Sequence, residues 1–232
     1  MENFLKITNG LADPTRYEIY QTIIKRNEPV TVQEIANQFS LHTNVARHHL
    51  SKLEELKLVK SDLIKTGKGG RPSKCYQLSD KVSQLSFPFR DYELLAKIAL
   101  QSIQSLGEDG KKLLFDTGAS YGSQLIKKLL LSNPQIFEQI TIENKLAIIQ
   151  EASVMLGFYP TIVCSEEEQF IDFSICNCPF KEIAKQNHSV CTMHFSFIEG
   201  MFTTLFPKNE FQQTENMLIK DNQCSYRIMI YD

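Results

Sequence analysis

Hydrophobic positions in the first eighty residues recur at helical spacing in three short segments and then alternate as in paired strands. "ADPTRYEIYQTIIKRN" predicts a helix. Asp13 suits the N-cap and Pro14 the first helical position, with Tyr17, Tyr20, Ile23 and Ile24 as the core face. "TVQEIANQF" predicts a second helix, opened by a Thr31/Glu34 capping box and turning Ile35, Ala36 and Phe39 inward. After the tight turn "SLHT", "NVARHHLSKLEELKL" predicts a longer helix whose buried stripe is Ala46, Leu50 and Leu53. A hairpin follows, with strands at roughly 59–65 and 74–79 and the tip "TGKGGRPS". Helices, a tight turn, a further helix and a hairpin, in that order, predict a winged helix-turn-helix.

Beyond Pro88, which marks a short linker, the pattern becomes helical at 91–106, 109–131 and 141–156. Leu94, Leu95, Ile98 and Ile103 form an apolar stripe on the first of these helices. Gly118 and Gly122, four apart on the second, are costly in a helix unless another backbone comes close. "FYPTIVCSEEEQFIDFSIC" then predicts a hairpin turning at "SEEEQ". "CPFKEIAKQNHSVCTMHFSFIEGMFTTLF" predicts a helical segment broken near 187–189, and "FQQTENMLIKDNQCSYRIMI" a second hairpin turning at "KDNQ". The fold class expected is α+β: an N-terminal winged helix-turn-helix over 1–85, then a dimerisation and effector domain over 86–232. Within the latter, a helical dimerisation segment precedes an antiparallel sheet with helices on one face.

Charge sharpens this picture. The whole chain carries a net −2, but residues 41–74 hold 8 basic and 3 acidic side chains. Such local basicity on a mildly acidic chain predicts contact with a polyanion at one place, double-stranded DNA being the partner the fold suggests. Opposite the buried stripe of the longer helix stand Thr43, Asn44, Arg47, His48 and Ser51, side chains able to read base edges or grip phosphates. Lys68 and Arg71 on the hairpin tip are placed to reach the backbone or minor groove. His48 and His49 point in different directions on a helix, so DNA contact or plain surface is expected of the histidines here rather than a joint metal site. Regulators of this architecture bind two half-sites, so a homodimer through the helices between 91 and 156 is expected.

The segment "RHHLSKLEELKLV…GKGGRPSKCYQLSD" resembles the winged helix of small bacterial transcriptional regulators of the arsenic-repressor and DeoR-like type. Lys57 stands where that pattern has a glycine before the final Leu-Val.

No apolar run approaches the roughly 18 residues of a membrane span, and the N-terminus lacks a signal-peptide pattern. A cytoplasmic protein with no membrane partner is the expectation. In a reducing compartment clustered cysteines more often bind metal or act in redox chemistry than form disulfides. Of the six cysteines, Cys176, Cys178 and Cys191 fall in "CNCPFKEIAKQNHSVC", and Cys224 begins the last predicted strand. Cys75 and Cys164 lie on strands, where a packed thiol is the simpler reading. The spacings lack paired CxxC motifs, so separate buried thiols and a shared metal site both remain open on spacing alone. A CxC pair also lacks the CxxC spacing of thiol oxidoreductases, and no hydrolytic triad or nucleotide-binding loop is present, so an enzyme is not expected.

"NCPFKEIAKQNHSVC" followed by "DNQCSYRI" resembles the C-terminal signature of the Suf repressor family, winged-helix regulators with an iron–sulphur cluster in the effector domain. The resemblance implies thiolate ligands at Cys178, Cys191 and Cys224 and leaves the fourth ligand between His194 and Cys176, with His188 also near. It implies a transcriptional regulator, in most cases a repressor, whose operator binding depends on the cluster. The alternatives are the same class of regulator answering to zinc or thiol oxidation at these cysteines, or to a small organic ligand in an apolar pocket.

Overall fold

The computed structural model describes residues 2–26, 28–64, 73–79, 88, 90–132, 141–165, 169–219 and 221–231. Its contacts divide into two compact units, Met1–Arg90 and Asp91–Asp232.

The first unit comprises helices α1 (Glu2–Leu11), α2 (Pro14–Arg26), α3 (Val32–Gln38) and α4 (Thr43–Glu55), with strands β1 (Val30–Thr31), β2 (Val59–Ile64) and β3 (Ser73–Leu78). The capping signals act as their residue types dictate. Asp13 Oδ1 accepts the Arg16 amide at 2.8 Å, and Thr31 with Glu34 forms a reciprocal capping box. His42 caps α4 by accepting the Asn44 amide on Nδ1 at 3.3 Å. The α4 helix ends in a Schellman motif: the Lys57 amide donates to the Glu54 carbonyl and the Leu58 amide to that of Leu53. Lys57 therefore occupies the left-handed position, at φ 60°, where the family pattern has glycine.

Ala46, Leu50 and Leu53 are fully buried against Ile19, Ile23 and Ile35. The core face of α2 is rotated from the sequence expectation. Ile19 and Ile23 are its buried residues, whereas Tyr17 is exposed, because the preceding helix α1, which the pattern did not reveal, sets Ile7 into the same core. The wing is a three-stranded antiparallel sheet in the order β1-β3-β2, so the short segment before α3 adds a strand to the expected hairpin.

The second unit opens with α5 (Tyr92–Gln104), α6 (Glu108–Ser132) and α7 (Ile142–Met155), close to the three expected helices. An antiparallel sheet follows in the order β4-β5-β7-β6, built from β4 (Pro160–Ser165), β5 (Phe170–Ile175), β6 (Asn209–Glu215) and β7 (Cys224–Ile230). Between β5 and β6 lie α8 (Lys181–Ala184) and α9 (Ser189–Leu205), separated at 185–188 where the break was expected. Alternation along β5 buries Ile171, Phe173 and Ile175, which join Tyr226 and Ile228 of β7 under Ile198, Met201 and Phe202 of α9.

The buried helix α9 is backed by α6. A Cβ added at Gly118 would strike the Met193 carbonyl and the Ser196 hydroxyl, which explains why glycine stands there. Ser196 Oγ donates to the Phe115 carbonyl of α6 at 2.7 Å, closing the gap that the small residue leaves. In contrast, none of the α5 residues is buried: Tyr92, Leu94, Leu95 and Ile98 are each more than half exposed. The expected apolar stripe exists, but it faces away from this unit's core.

Candidate functional site

Two regions gather the chemistry. In the first unit, the buried stripe of α4 fixes which side is presented outward. Asn44, Arg47, His48 and Ser51 are exposed and Thr43 is half-buried, all on the side away from the core. Arg47 Nη1 donates to Asn44 Oδ1 at 3.1 Å, so the guanidinium lies along the helix surface with its remaining N–H groups free to meet a ligand edge. A groove of about 610 Å³ runs beside this face, lined by Thr31, Gln33, Thr43, Arg47, Ser51 and Lys74 among others. Lys74 bridges to Glu54 at 2.8 Å, and Glu54 also accepts from Ser61, tying the α4 helix to β3 and β2. The lysine is held further into its charged form chiefly by that Glu54 hydrogen bond. Thr31, Gln33 and Lys74 were not singled out in the sequence as residues of the DNA face. Their signal is the polar start of α3 and the first turn of the returning strand, which topology brings beside α4. Lys68 and Arg71 lie outside the described residues. His49 is on the buried side of α4, its Nδ1 without a hydrogen-bond partner among the described residues, and burial lowers its proton affinity.

In the second unit, three segments distant in sequence meet at one end of the sheet. Cys178 lies in the turn between β5 and α8, Cys191 and His194 in the first turns of α9, and Cys224 at the first position of β7. Together with Lys181, Met217, Leu218 and Tyr226 they line a cavity of about 20 Å³. Register explains part of this: Cys224 pairs with Ile175 at the end of β5, three residues before Cys178.

Two of the three sulfur atoms meet hydrogen-bond donors. Cys178 Sγ accepts from the Phe180 amide, and Cys224 Sγ from the Met217 amide at 3.5 Å and from the Tyr226 hydroxyl. His194 Nδ1 lies 3.4 Å from Cys178 Sγ. The imidazole is wedged edge-on between Phe158 and Phe180, each ring centroid 5.1 Å away, and its Nε2 is buried without a hydrogen-bond partner among the described residues.

Burial pushes the Cys178 thiol up to about 12, and the neighbouring Cys224 and Cys191 sulfurs add to the shift. Burial also raises Cys191 and Cys224, and it brings His194 down to about 4. At neutral pH, without a cation, the pocket therefore holds neutral thiols and a neutral imidazole. Its amide and hydroxyl donors favour the thiolate, and a bound metal would supply the positive charge to displace the protons.

Cys176 is not among the lining residues; its thiol faces Gln223 Oε1 at 4.0 Å. His188 is exposed at the start of α9. Cys75 is buried on β3, and Cys164 lies half-buried on β4 beside the sheet core. Among the described residues no three His, Cys, Asp or Glu side chains are gathered tightly enough to hold a single metal ion as they stand.

Comparison with known proteins supports the first region. A family model described as a helix-turn-helix domain matches residues 11–62, which span α2, α3, α4 and the start of β2. The N-terminal unit thus holds a helix-turn-helix domain flanked by a wing, which supports a DNA-binding regulator. The match does not distinguish the Suf repressors among such regulators. No curated protein matches the chain. Solved structures similar to it include two of low identity. One is a trafficking protein particle complex subunit 3 from Naegleria fowleri covalently bound to palmitic acid, at 15% identity and TM-score 0.42, covering 60% of this chain and 97% of that one. The other is the phenol-responsive sensory domain of the transcription activator PoxR with phenol, at 13% identity and TM-score 0.44, covering 79% of this chain and 89% of that one. No helix among the described residues is long and apolar enough to cross a membrane.

Proposed function

We propose that this protein is a homodimeric transcriptional regulator whose operator binding is controlled by an iron–sulphur cluster held by Cys178, Cys191 and Cys224. One observation carries the reading: three cysteines from separate segments, Cys224 buried and Cys178 and Cys191 half-buried, line one cavity, with hydrogen-bond donors aimed at two of their sulfurs. Cysteines that serve only as small hydrophobes need neither a common cavity nor amide donors. The donor types suit the group, because iron–sulphur clusters are held chiefly by thiolates and tuned by hydrogen bonds to sulfur, and the cavity of about 20 Å³ would have to open to admit it. When bound, the cluster supplies a link between three segments that iron supply or oxidation can remove. Without it, the chain's own residues hold protonated thiols, and the turn at Cys178 and the start of α9 lose their common anchor. The exposed apolar side of α5 supports a dimer, which would present two α4 helices to two half-sites.

A panel of substitutions purified without oxygen tests this. Cys178→Ser, Cys191→Ser and Cys224→Ser should each abolish the visible absorption of the parent and change DNA affinity, whereas Cys75→Ser and Cys164→Ser should do neither. Full iron in all three main variants, or a parent that never takes up iron on reconstitution, would replace this reading with an organic effector.

A second reading is a single zinc ion. His194 beside three cysteines makes a Cys3His donor set, and the cavity has room for about one ion. The four donors would then have to close in from where they stand. A colourless protein with one zinc per chain would favour it.

A further inference from the structure

We infer that residues 185–188 are the hinge on which the cysteine pocket opens, and that Gln104 passes the opening to α5. The inference rests on an effector entering that pocket, as read above, and adds the route by which its arrival is felt elsewhere. A cavity of about 20 Å³ holds about one water molecule, so a larger occupant has to part its walls. Those walls include Lys181 and Ala184 on α8, Cys191 and His194 on α9, and Cys224 and Tyr226 on β7.

Two of the three walls are braced. Strand β7 is paired along both edges, to β5 and to β6. Helix α9 lies backbone against backbone on α6: a Cβ at Gly118 would strike the Met193 carbonyl, and one at Gly200 the Ala119 carbonyl. Helix α8 is a single turn of four residues, joined to α9 through 185–188. It is the wall that gives, and short connecting segments absorb such rotations.

Asn187 stands at the centre of that joint. Its amide donates to the Ile183 carbonyl of α8 at 3.0 Å, and its carbonyl accepts the Val190 amide of α9 at 3.1 Å. Its Oδ1 accepts both the Ser189 amide at 3.1 Å and Gln104 Nε2 at 3.0 Å, and the residue is 7% exposed. The Gln104 bond crosses to α5, a helix with no buried residue. Close to it, the Ile103 carbonyl occupies the place a Cβ on Gly110 would take. Helix α5 is thus fastened at its C-terminal end, and its N-terminal end follows Arg90, the last residue of the first unit. Swinging α8 away from α9 turns the Asn187 carboxamide and re-aims or breaks the Gln104 bond. Opening of the pocket and docking of the α5 end are therefore linked, and the linkage acts equally in both directions.

The test compares the full-length parent with Gln104→Ala, and with Gln101→Ala as control, both positions being exposed on α5. In metal-free protein, iodoacetamide labelling of each cysteine is followed by mass spectrometry. A buried neutral thiol reacts when its pocket opens. Gln104→Ala should speed labelling of Cys178 by about two- to tenfold, the factor one neutral hydrogen bond contributes to an equilibrium. Labelling of Cys164, in the same unit, should be unchanged, and Gln101→Ala should match the parent at both sites. After anaerobic loading with ferrous iron and sulphide, Gln104→Ala should hold as much iron as the parent, yet show a smaller ratio of operator affinities between loaded and stripped forms. Parental labelling of Cys178, or faster labelling with the parental affinity ratio kept, would overturn the inference and leave the iron–sulphur reading standing. A parent that takes up no iron would overturn that reading, while the labelling rates decide the hinge on their own.

Discussion

Gly122 of α6 lies directly against the main-chain carbonyl of Phe197 in α9, so that a Cβ at Gly122 would collide with backbone rather than with a yielding side chain. This contact matters beyond packing because α9 carries Cys191 and His194 in its first turns. Gly122→Ala should destabilise the second unit by about 1–3 kcal/mol through overpacking, although alanine alone favours a helix by about 1 kcal/mol. Thermal and urea unfolding followed by circular dichroism would measure it. A stabilised variant would mean that the two helices are not in backbone contact.

The helix end at Lys57 offers a prediction of opposite sign. A lysine held at φ 60° bears a cost that glycine does not. Lys57→Gly should therefore stabilise the first unit by about 0.5–1 kcal/mol, with the rest of the Schellman motif unchanged. An unchanged or lowered unfolding midpoint would contradict the left-handed assignment.

If the exposed face of α4 reads DNA as expected, Arg47→Ala should cost about 1–3 kcal/mol at one base position and relax sequence preference there. Lys68→Ala should weaken binding evenly across sequences and lower the salt slope by about one. Titrations of single-base operator variants at several salt concentrations separate the two behaviours. Wild-type binding by both variants would remove α4 and the wing from the interface.

The exposed stripe on α5 leads to an assembly prediction. Ile98 is 54% exposed and its helix has no buried residue. A charge at that position should leave the fold intact yet break a dimer formed there. Ile98→Glu should scatter light as a monomer at micromolar concentration, where the parent scatters as a dimer, with equal helicity by circular dichroism. A monomeric parent would reject the dimer.

Much of this architecture was legible because local signals and burial agree. Asp13, Thr31 with Glu34, and the stripe Ala46, Leu50 and Leu53 each act in the structure as their spacing implies. Tyr17 was misplaced for a physical reason: an amphipathic helix leaves its exact rotation open until its neighbour is known, and α1 was not anticipated. The Gly118–Gly122 spacing foretold a close approach but could not name α9 as the partner, since that contact spans some eighty residues of chain. Cys178, Cys191 and Cys224 were nominated by resemblance, which left the fourth ligand between His194 and Cys176. The cavity shared by the three cysteines depends on the β5–β7 register and on the break before α9, which periodicity does not encode. The sulfur donors Phe180, Met217 and Tyr226 were invisible, two of them being backbone amides that no side-chain pattern marks.

Control of DNA binding by the cysteine pocket is tested most directly by operator affinity with and without the cluster. Operators can be selected from random duplex DNA with anaerobically loaded protein and, separately, with the same protein stripped by chelation. Fluorescence anisotropy on the selected duplexes then gives both dissociation constants at one salt concentration. A difference of about tenfold or more, equal to about 1.4 kcal/mol, is the predicted result, and it should vanish in Cys178→Ser. Equal affinities for the loaded and stripped forms on every selected duplex would contradict the account.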